Sequence, residues 1–265
     1  MPEGDTIFRA ARTLRLALAG KRVERFETVL PHLARVDEDT PLAGRTVETV
    51  ESTGKWLSMH FSGGLTLLTH MLMSGSWHIY RPGERWRRSR YHMRIVIETA
   101  DMIAVAFDVP IAEFHDERSL ARRLGRLGPD VLAAEFDSAA AIESLISRPD
   151  LETGAALLRQ SLLAGLGNVF KSEVCFVAGV HPFRKIATLD RDTAGDIVAS
   201  ARKLLRANTG GGFRNTTHSL DPEARLWVYG RAGEPCRRCG TAIESRKHSV
   251  DGRVSFWCPR CQPTA

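Results

Sequence analysis

No apolar run in the 265-residue chain approaches the roughly 18 residues that a membrane span requires, so a spanning helix is excluded. Internal repeats and low-complexity tracts are also missing. With 43% hydrophobic and 26% charged residues, the composition excludes disordered and collagen-like chains. The N-terminus lacks the charged-then-apolar segment of a secretory signal, which points to the cytoplasm. Net charge is nearly absent from most of the chain. Residues 201–265 carry twelve basic against five acidic side chains, a net of +7, which leaves −1 for the first 200 residues out of the total of +6. The basic field therefore belongs to one end of the molecule. The length corresponds to one large or two modest domains, each able to bury a core.

Cysteine is sparse, but four of the five are arranged as Cys236-x2-Cys239 and Cys258-x2-Cys261, with 18 residues between the pairs. Two residues between cysteines turn both thiolates toward one point, and two such knuckles form the closed tetrahedral shell of a structural zinc ion. The other reading is a pair of disulfides in a secreted chain, which the missing signal segment opposes. Cys175 lies in an apolar stretch and reads as an inert buried thiol.

Periodicity divides the rest. Residues 5–19 predict an amphipathic helix with Ile7, Ala10, Ala11, Leu14 and Leu18 on one face, Asp5 and Thr6 as caps, and Gly20 as the stop. Strand-like runs follow at 23–30, 46–52, 56–61, 65–71, 77–80, 93–98 and 103–107, punctuated by glycine turns, which suggests a β-sandwich. After Leu127-Gly128-Pro129-Asp130 the pattern turns helical, around 141–146, 155–163, 168–178 and 197–205. The glycine run 210–212 ends it. Asp251-Gly252, flanked by Val250 and by residues 254–257, predicts a β-hairpin tip between the knuckles.

Several residues could carry chemistry. Removal of Met1 leaves Pro2 as a free secondary amine, a competent nucleophile near neutral pH because an α-amino group titrates at about 7.7–8.0. Attack on a sugar C1′ gives an iminium ion that promotes elimination at neighbouring carbons, with Glu3 as general acid and base. Taken alone, the pair also reads as an ordinary second residue followed by a helix-start carboxylate. Lys55, in a turn between strands, could reach a phosphate or donate a proton, or be a solvated charge. Gly165-Leu166-Gly167-Asn168 places Asn168 at a helix start, suited to a phosphate or to a plain N-cap. Arg253 would project from the hairpin toward a phosphate or into solvent. Leu72 and Met73, before Gly75, could form a wedge for a base stack or pack in the core.

Together these residues resemble the formamidopyrimidine-DNA glycosylase and endonuclease VIII family of base-excision repair enzymes. Three signatures carry the likeness: Met1-Pro2-Glu3-Gly4, residues 164–173, and residues 228–236 running into the cysteine hairpin and on to Gln262. The resemblance implies a multidomain α+β protein. A β-sandwich with a leading helix would span 1–125, a helix-two-turn-helix DNA-binding domain 126–212, and a zinc-finger β-hairpin with one structural zinc 213–265. It implies a monomer acting on damaged DNA, with no membrane role, as a bifunctional glycosylase and abasic-site lyase. Pro2 matches the Schiff-base nucleophile, Glu3 the acid/base residue and Lys55 the lysine that contacts phosphate and assists β-elimination. Asn168 and Arg253 match a phosphate clamp, Arg253 also serving δ-elimination. Arg126, after Arg122-Arg123, matches a DNA-contacting arginine, and Leu72 and Met73 the gap-filling loop. Thr6 stands where the family commonly has a glutamate, so a damage-binding protein with weak base excision is the alternative. Ala155-Ala156 occurs where formamidopyrimidine-type members often carry a lysine. That tilts the expectation toward the endonuclease VIII side and oxidised pyrimidines.

Overall fold

The computed structural model describes residues 2–248 and 252–264. The chain divides into two compact units, Met1–Arg126 and Leu127–Ala265. Among the described residues no helix is long and apolar enough to cross a membrane.

The first unit opens with α1, Gly4–Leu18. Its cap is Glu3, two residues before Asp5, the earlier of the caps that the sequence suggests. The Glu3 carbonyl accepts from the amides of Thr6 and Ile7 at 2.9 and 3.1 Å, and Asp5 falls in the first turn instead. The strands β1 (Arg25–Thr28), β2 (Val47–Thr53), β3 (Trp56–Phe61), β4 (Leu65–His70), β5 (Ser76–Tyr80), β6 (Met93–Glu98), β7 (Ile103–Phe107) and β8 (Ile111–His115) form two antiparallel four-stranded sheets. Their orders are β1-β6-β7-β5 and β2-β3-β4-β8. Side chains from both sheets, among them Val50, Leu57, Leu67, Ile95, Ile97 and Ala104, share one core with Ile7, Leu14 and Leu18 of α1. This is the expected sandwich with its leading helix. Alternation along β6 and β7 turns Val96 and Val105 to the other face, where they pack with Tyr80, Phe107 and Trp86.

Three elements escape the sequence patterning: α2 (Pro31–Asp39), β8, and α3 (Glu117–Leu124). No residue of α3 is buried, and its start depends on Asp116, whose carboxylate accepts the Ser119 amide at 2.7 Å.

In the second unit α4 (Ser138–Ile146), α5 (Thr153–Leu158), α6 (Asn168–Val177) and α7 (Arg191–Ala207) surround a second apolar core. Asp137 and Asp190 cap α4 and α7 through the Ala140 and Thr193 amides. The helix expected over 155–163 ends at Leu158. The Gln160 amide explains this: its Nε2 donates to the carbonyls of Leu158 and Leu166, and its Oε1 accepts the Gly165 amide. The side chain thereby substitutes for helical bonds and builds the turn before α6. The cysteine module adds a two-stranded hairpin, β9 (Glu244–Lys247) with β10 (Val254–Trp257), in the register Val254↔Lys247. Of the expected tip, Val250 and Asp251 lie outside the described residues.

Candidate functional site

In the first unit Pro2 immediately precedes the N-terminus of α1, and Glu3, its N-cap, is fully buried. The 15-residue helix directs its positive dipole end at Pro2. The neighbouring Asp5 carboxylate is also buried, 3.8 Å from the Arg9 guanidinium, and accepts the Thr6 hydroxyl at 3.3 Å. A second buried carboxylate therefore lies beside Thr6.

Lys55 occupies the tight turn joining β2 to β3, where Gly54 adopts φ 59°. The next residue, Trp56, pairs with His70 at the end of β4, their rings edge to face at 4.8 Å. Arg123 of α3 lays its guanidinium over Trp56 at 4.5 Å and reaches Glu113 at 3.3 Å. Burial above all, then the charges of Lys55 and Arg123, hold His70 down at about 4. It is neutral at physiological pH, and its Nδ1 accepts the Leu72 amide at 3.0 Å.

That bond bends the chain at a residue of the expected wedge. Leu72 adopts φ 44°, a left-handed conformation that branched and bulky side chains seldom take. Gly75 closes the loop through its amide to the Met71 carbonyl at 2.8 Å, and a Cβ there would stand 2.7 Å from that oxygen. Met71 is in the core, whereas Leu72 and Met73 are 44% and 68% exposed. Of the two readings of this segment, core packing applies to Met71 and projection to its neighbours. Arg126 is exposed, two residues beyond α3, and Arg123 is the arginine packed beside the Lys55 turn.

In the second unit Asn168 is the first residue of α6, and Gly167 takes the cap position. Its side-chain oxygen accepts from Lys171 Nζ at 2.7 Å, and the same ammonium donates to the Val254 carbonyl at 2.9 Å. Lys171 is fully buried. It thus joins Asn168 to the residue after Arg253, itself exposed, so these two candidates are held in one neighbourhood. Nothing in the spacing of the chain announces this lysine. The same is true of Glu173, a fully buried carboxylate that accepts the amides of Trp227, Val228 and Tyr229 at 2.8, 2.9 and 2.8 Å and the Thr216 hydroxyl. Through it the two signature segments, 164–173 and 228–236, are bonded to each other.

The four knuckle cysteines converge, all Sγ atoms lying within 4.8 Å of one another. The closest separations are 3.4, 3.5 and 3.9 Å. Sulfurs about 2.3 Å from one ion in a tetrahedron stand about 3.8 Å apart, whereas disulfide sulfurs stand about 2 Å apart. The Arg238 and Cys261 amides point at Cys236 and Cys258 Sγ, as knuckles require. The Thr241 hydroxyl and amide draw Cys239 down to about 6, while burial and the neighbouring sulfurs push Cys261 up to about 12. A cation at the centre is what lets all four be thiolates, and the donor set suits zinc. Cys175 stands apart, its thiol pushed up to about 12 by complete burial in the helical core.

Residues 1–123 match the formamidopyrimidine-DNA glycosylase N-terminal domain, 127–217 its H2TH domain, and 233–264 the zinc finger found in FPG and IleRS. The chain is 42% identical over 266 residues to the probable endonuclease 8 2 of Streptomyces coelicolor, covering 99% of this chain and 94% of that one. It is 39% identical over 262 residues to the DNA-(apurinic or apyrimidinic site) lyase Nei2 of Mycolicibacterium smegmatis, covering 99% of each. The crystal structure of Lactococcus lactis Fpg with DNA containing an abasic site superposes with a TM-score of 0.84 at 24% identity, over 99% of this chain and 100% of that one. That likeness concerns the fold.

Proposed function

The chain belongs to the formamidopyrimidine-DNA glycosylase and endonuclease 8 family, and from that membership we propose how its residues divide the work of a DNA glycosylase and abasic-site lyase. The enzyme class is that of its relatives named endonuclease 8 and DNA-(apurinic or apyrimidinic site) lyase. The binding-only alternative that Thr6 motivates is not favoured.

The observation that carries the mechanism is the placement of Pro2 at the dipole end of α1 beside the buried Glu3. With Met1 removed, the Pro2 nitrogen attacks C1′ of the damaged nucleotide. The C1′–N bond to Pro2 forms as the glycosidic bond breaks, and the base leaves with a proton. Opening of the sugar at O4′, protonated by Glu3, leaves an iminium at C1′. Loss of a C2′ proton then expels the 3′ phosphate, and loss of a C4′ proton expels the 5′ phosphate; water finally hydrolyses the Schiff base. Lys55 stabilises departing phosphate, and Arg253 assists the second elimination. The base must first leave the stack, and Leu72 and Met73, projecting from the loop that His70 holds, fill the gap. Asn168 and Arg253 hold flanking phosphates, while Arg126 supplies a further DNA contact. One zinc ion on Cys236, Cys239, Cys258 and Cys261 is structural, and the protein acts as a monomer.

Oxidised pyrimidines are the proposed substrates. Support comes from the endonuclease 8 relatives and from Ala155-Ala156, which places no lysine at the start of α5. The decisive experiment is borohydride trapping on abasic-site DNA. A covalent complex is expected with processed protein and not with Pro2→Gly or with Met1 retained; no trapping by processed protein refutes the mechanism. A panel of thymine glycol, dihydrouracil and 8-oxoguanine substrates tests the preference, and equal or better cleavage at 8-oxoguanine contradicts it.

A further inference from the structure

His248 follows the last residue of β9 and is 1% exposed, although it adjoins the hairpin loop. Both its ring nitrogens are engaged within the second unit. Nδ1 donates to Glu152 Oε2 at 2.6 Å, and Nε2 lies 2.6 Å from Ser255 Oγ on β10. The ring stacks on Phe183, with centroids 4.3 Å apart and planes inclined by 22°. Gly154 leaves it room: a Cβ at that position would stand 2.9 Å from both Cε1 and Nε2 of the imidazole. Glu152 is the N-cap residue of α5, so this side chain ties the hairpin to the helical core.

The backbone of the same residue closes the loop. Its amide donates to the Arg253 carbonyl at 3.0 Å, and its carbonyl accepts the Gly252 amide at 3.0 Å. On the other flank of Arg253, the buried Lys171 fixes the Val254 carbonyl. Arg253 is therefore bracketed. One bracket runs to Asn168 through Lys171, the other to α5 through His248 and Glu152. A long charged side chain on an otherwise untethered loop would lose much of its phosphate affinity to the entropy of ordering that loop.

We propose that His248, braced by Glu152, is the positioning residue that presents Arg253 to a DNA phosphate at a fixed place relative to Asn168. The inference rests on the reading of Arg253 as a phosphate contact, so the experiment includes Arg253→Ala. Affinity for abasic-site DNA is measured across a salt series for full-length zinc-loaded protein, with His248→Ala, Glu152→Gln and each combined with Arg253→Ala. Arg253→Ala should weaken binding by roughly tenfold and lower the salt slope by about one contact. His248→Ala and Glu152→Gln should reproduce part of that loss while retaining zinc. His248→Gln, which keeps a hydrogen-bonding side chain, should recover part of the His248→Ala loss.

The cycle separates positioning from general support, because a residue that acts only through Arg253 has nothing left to lose once Arg253 is gone. Little further loss in the Arg253→Ala background is the supporting result. An equal further loss there, or wild-type affinity and salt slope for both His248→Ala and Glu152→Gln, overturns the inference. Should His248→Ala fail to fold, the Glu152→Gln pair completes the cycle alone. Wild-type binding by Arg253→Ala overturns the reading of Arg253 itself, and the inference falls with it.

Discussion

At the scale of single residues, function is written as local cost. Leu72 holds a left-handed backbone that a leucine pays for with about 1 kcal/mol and a glycine would not. Leu72→Gly is therefore expected to leave thermal stability unchanged or slightly raised. Excision of a base from duplex DNA should nevertheless fall by roughly tenfold, since flipping costs a few kcal/mol that the lost side chain no longer offsets. A fall in melting temperature with full excision would remove Leu72 from the wedge. His70 sets a pH limit on the same loop. Its folded value of about 4 lies below the ordinary 6.5, so the unfolded chain binds the proton first as pH falls. The stability it contributes is complete above about 6.5 and is lost progressively as pH falls through about 4. Protonation of Nδ1 also removes the acceptor of the Leu72 amide. The ring and that amide should shift together near pH 4 in NMR, and a ring titrating near 6.5 would contradict the burial argument.

At the scale of elements, the instructive cases are those that periodicity does not reveal. The stretch 155–163 has the apolar pattern of a helix, yet Gln160 converts its second half into the turn that launches α6. α3 has no buried residue for a pattern to register. α1, β3, β6 and β7 were legible because each buries one regular face, or lies wholly inside. Glu173 shows how elements are then joined. Three backbone amides and a hydroxyl converge on this buried carboxylate, and an amide side chain would turn donors toward donors. Glu173→Gln should cost on the order of 3 kcal/mol in urea unfolding. The fluorescence of Trp227, stacked on Phe176 at 5.4 Å, would report the change. A loss below about 0.5 kcal/mol, the range of ordinary surface substitutions, would deny it this role.

At the scale of the whole molecule, the C-terminal charge of +7 overstates the cations free to meet DNA. Arg231 is 9% exposed and bonds the Trp227 and Pro235 carbonyls. Arg237 donates to the Leu226 and Glu223 carbonyls, Arg202 to those of Val131 and Ala133, and Arg238 lies over Phe176. Binding should depend on salt with a slope well short of the twelve basic residues, and a slope near −0.9 per residue for all twelve would refute that division. The cysteine module shares its small core with Phe176, while the sandwich core lies wholly in the first unit. Chelation is thus expected to abolish DNA affinity while the strand signal in circular dichroism persists. Binding that survives confirmed zinc loss would contradict it.

Features encoded over a few neighbouring residues are legible in the chain alone: the two cysteine knuckles, the amphipathic face of α1, most strands, and a proline and glutamate at a helix start. The spacing of such features is their geometry, because helix, strand and knuckle periods are local. The tertiary structure alone decided which distant residues act on them. Lys171 meets Val254 across 83 positions and Glu152 meets His248 across 96. Buried polar groups must find partners wherever the fold supplies them, and no period in the chain records where that will be.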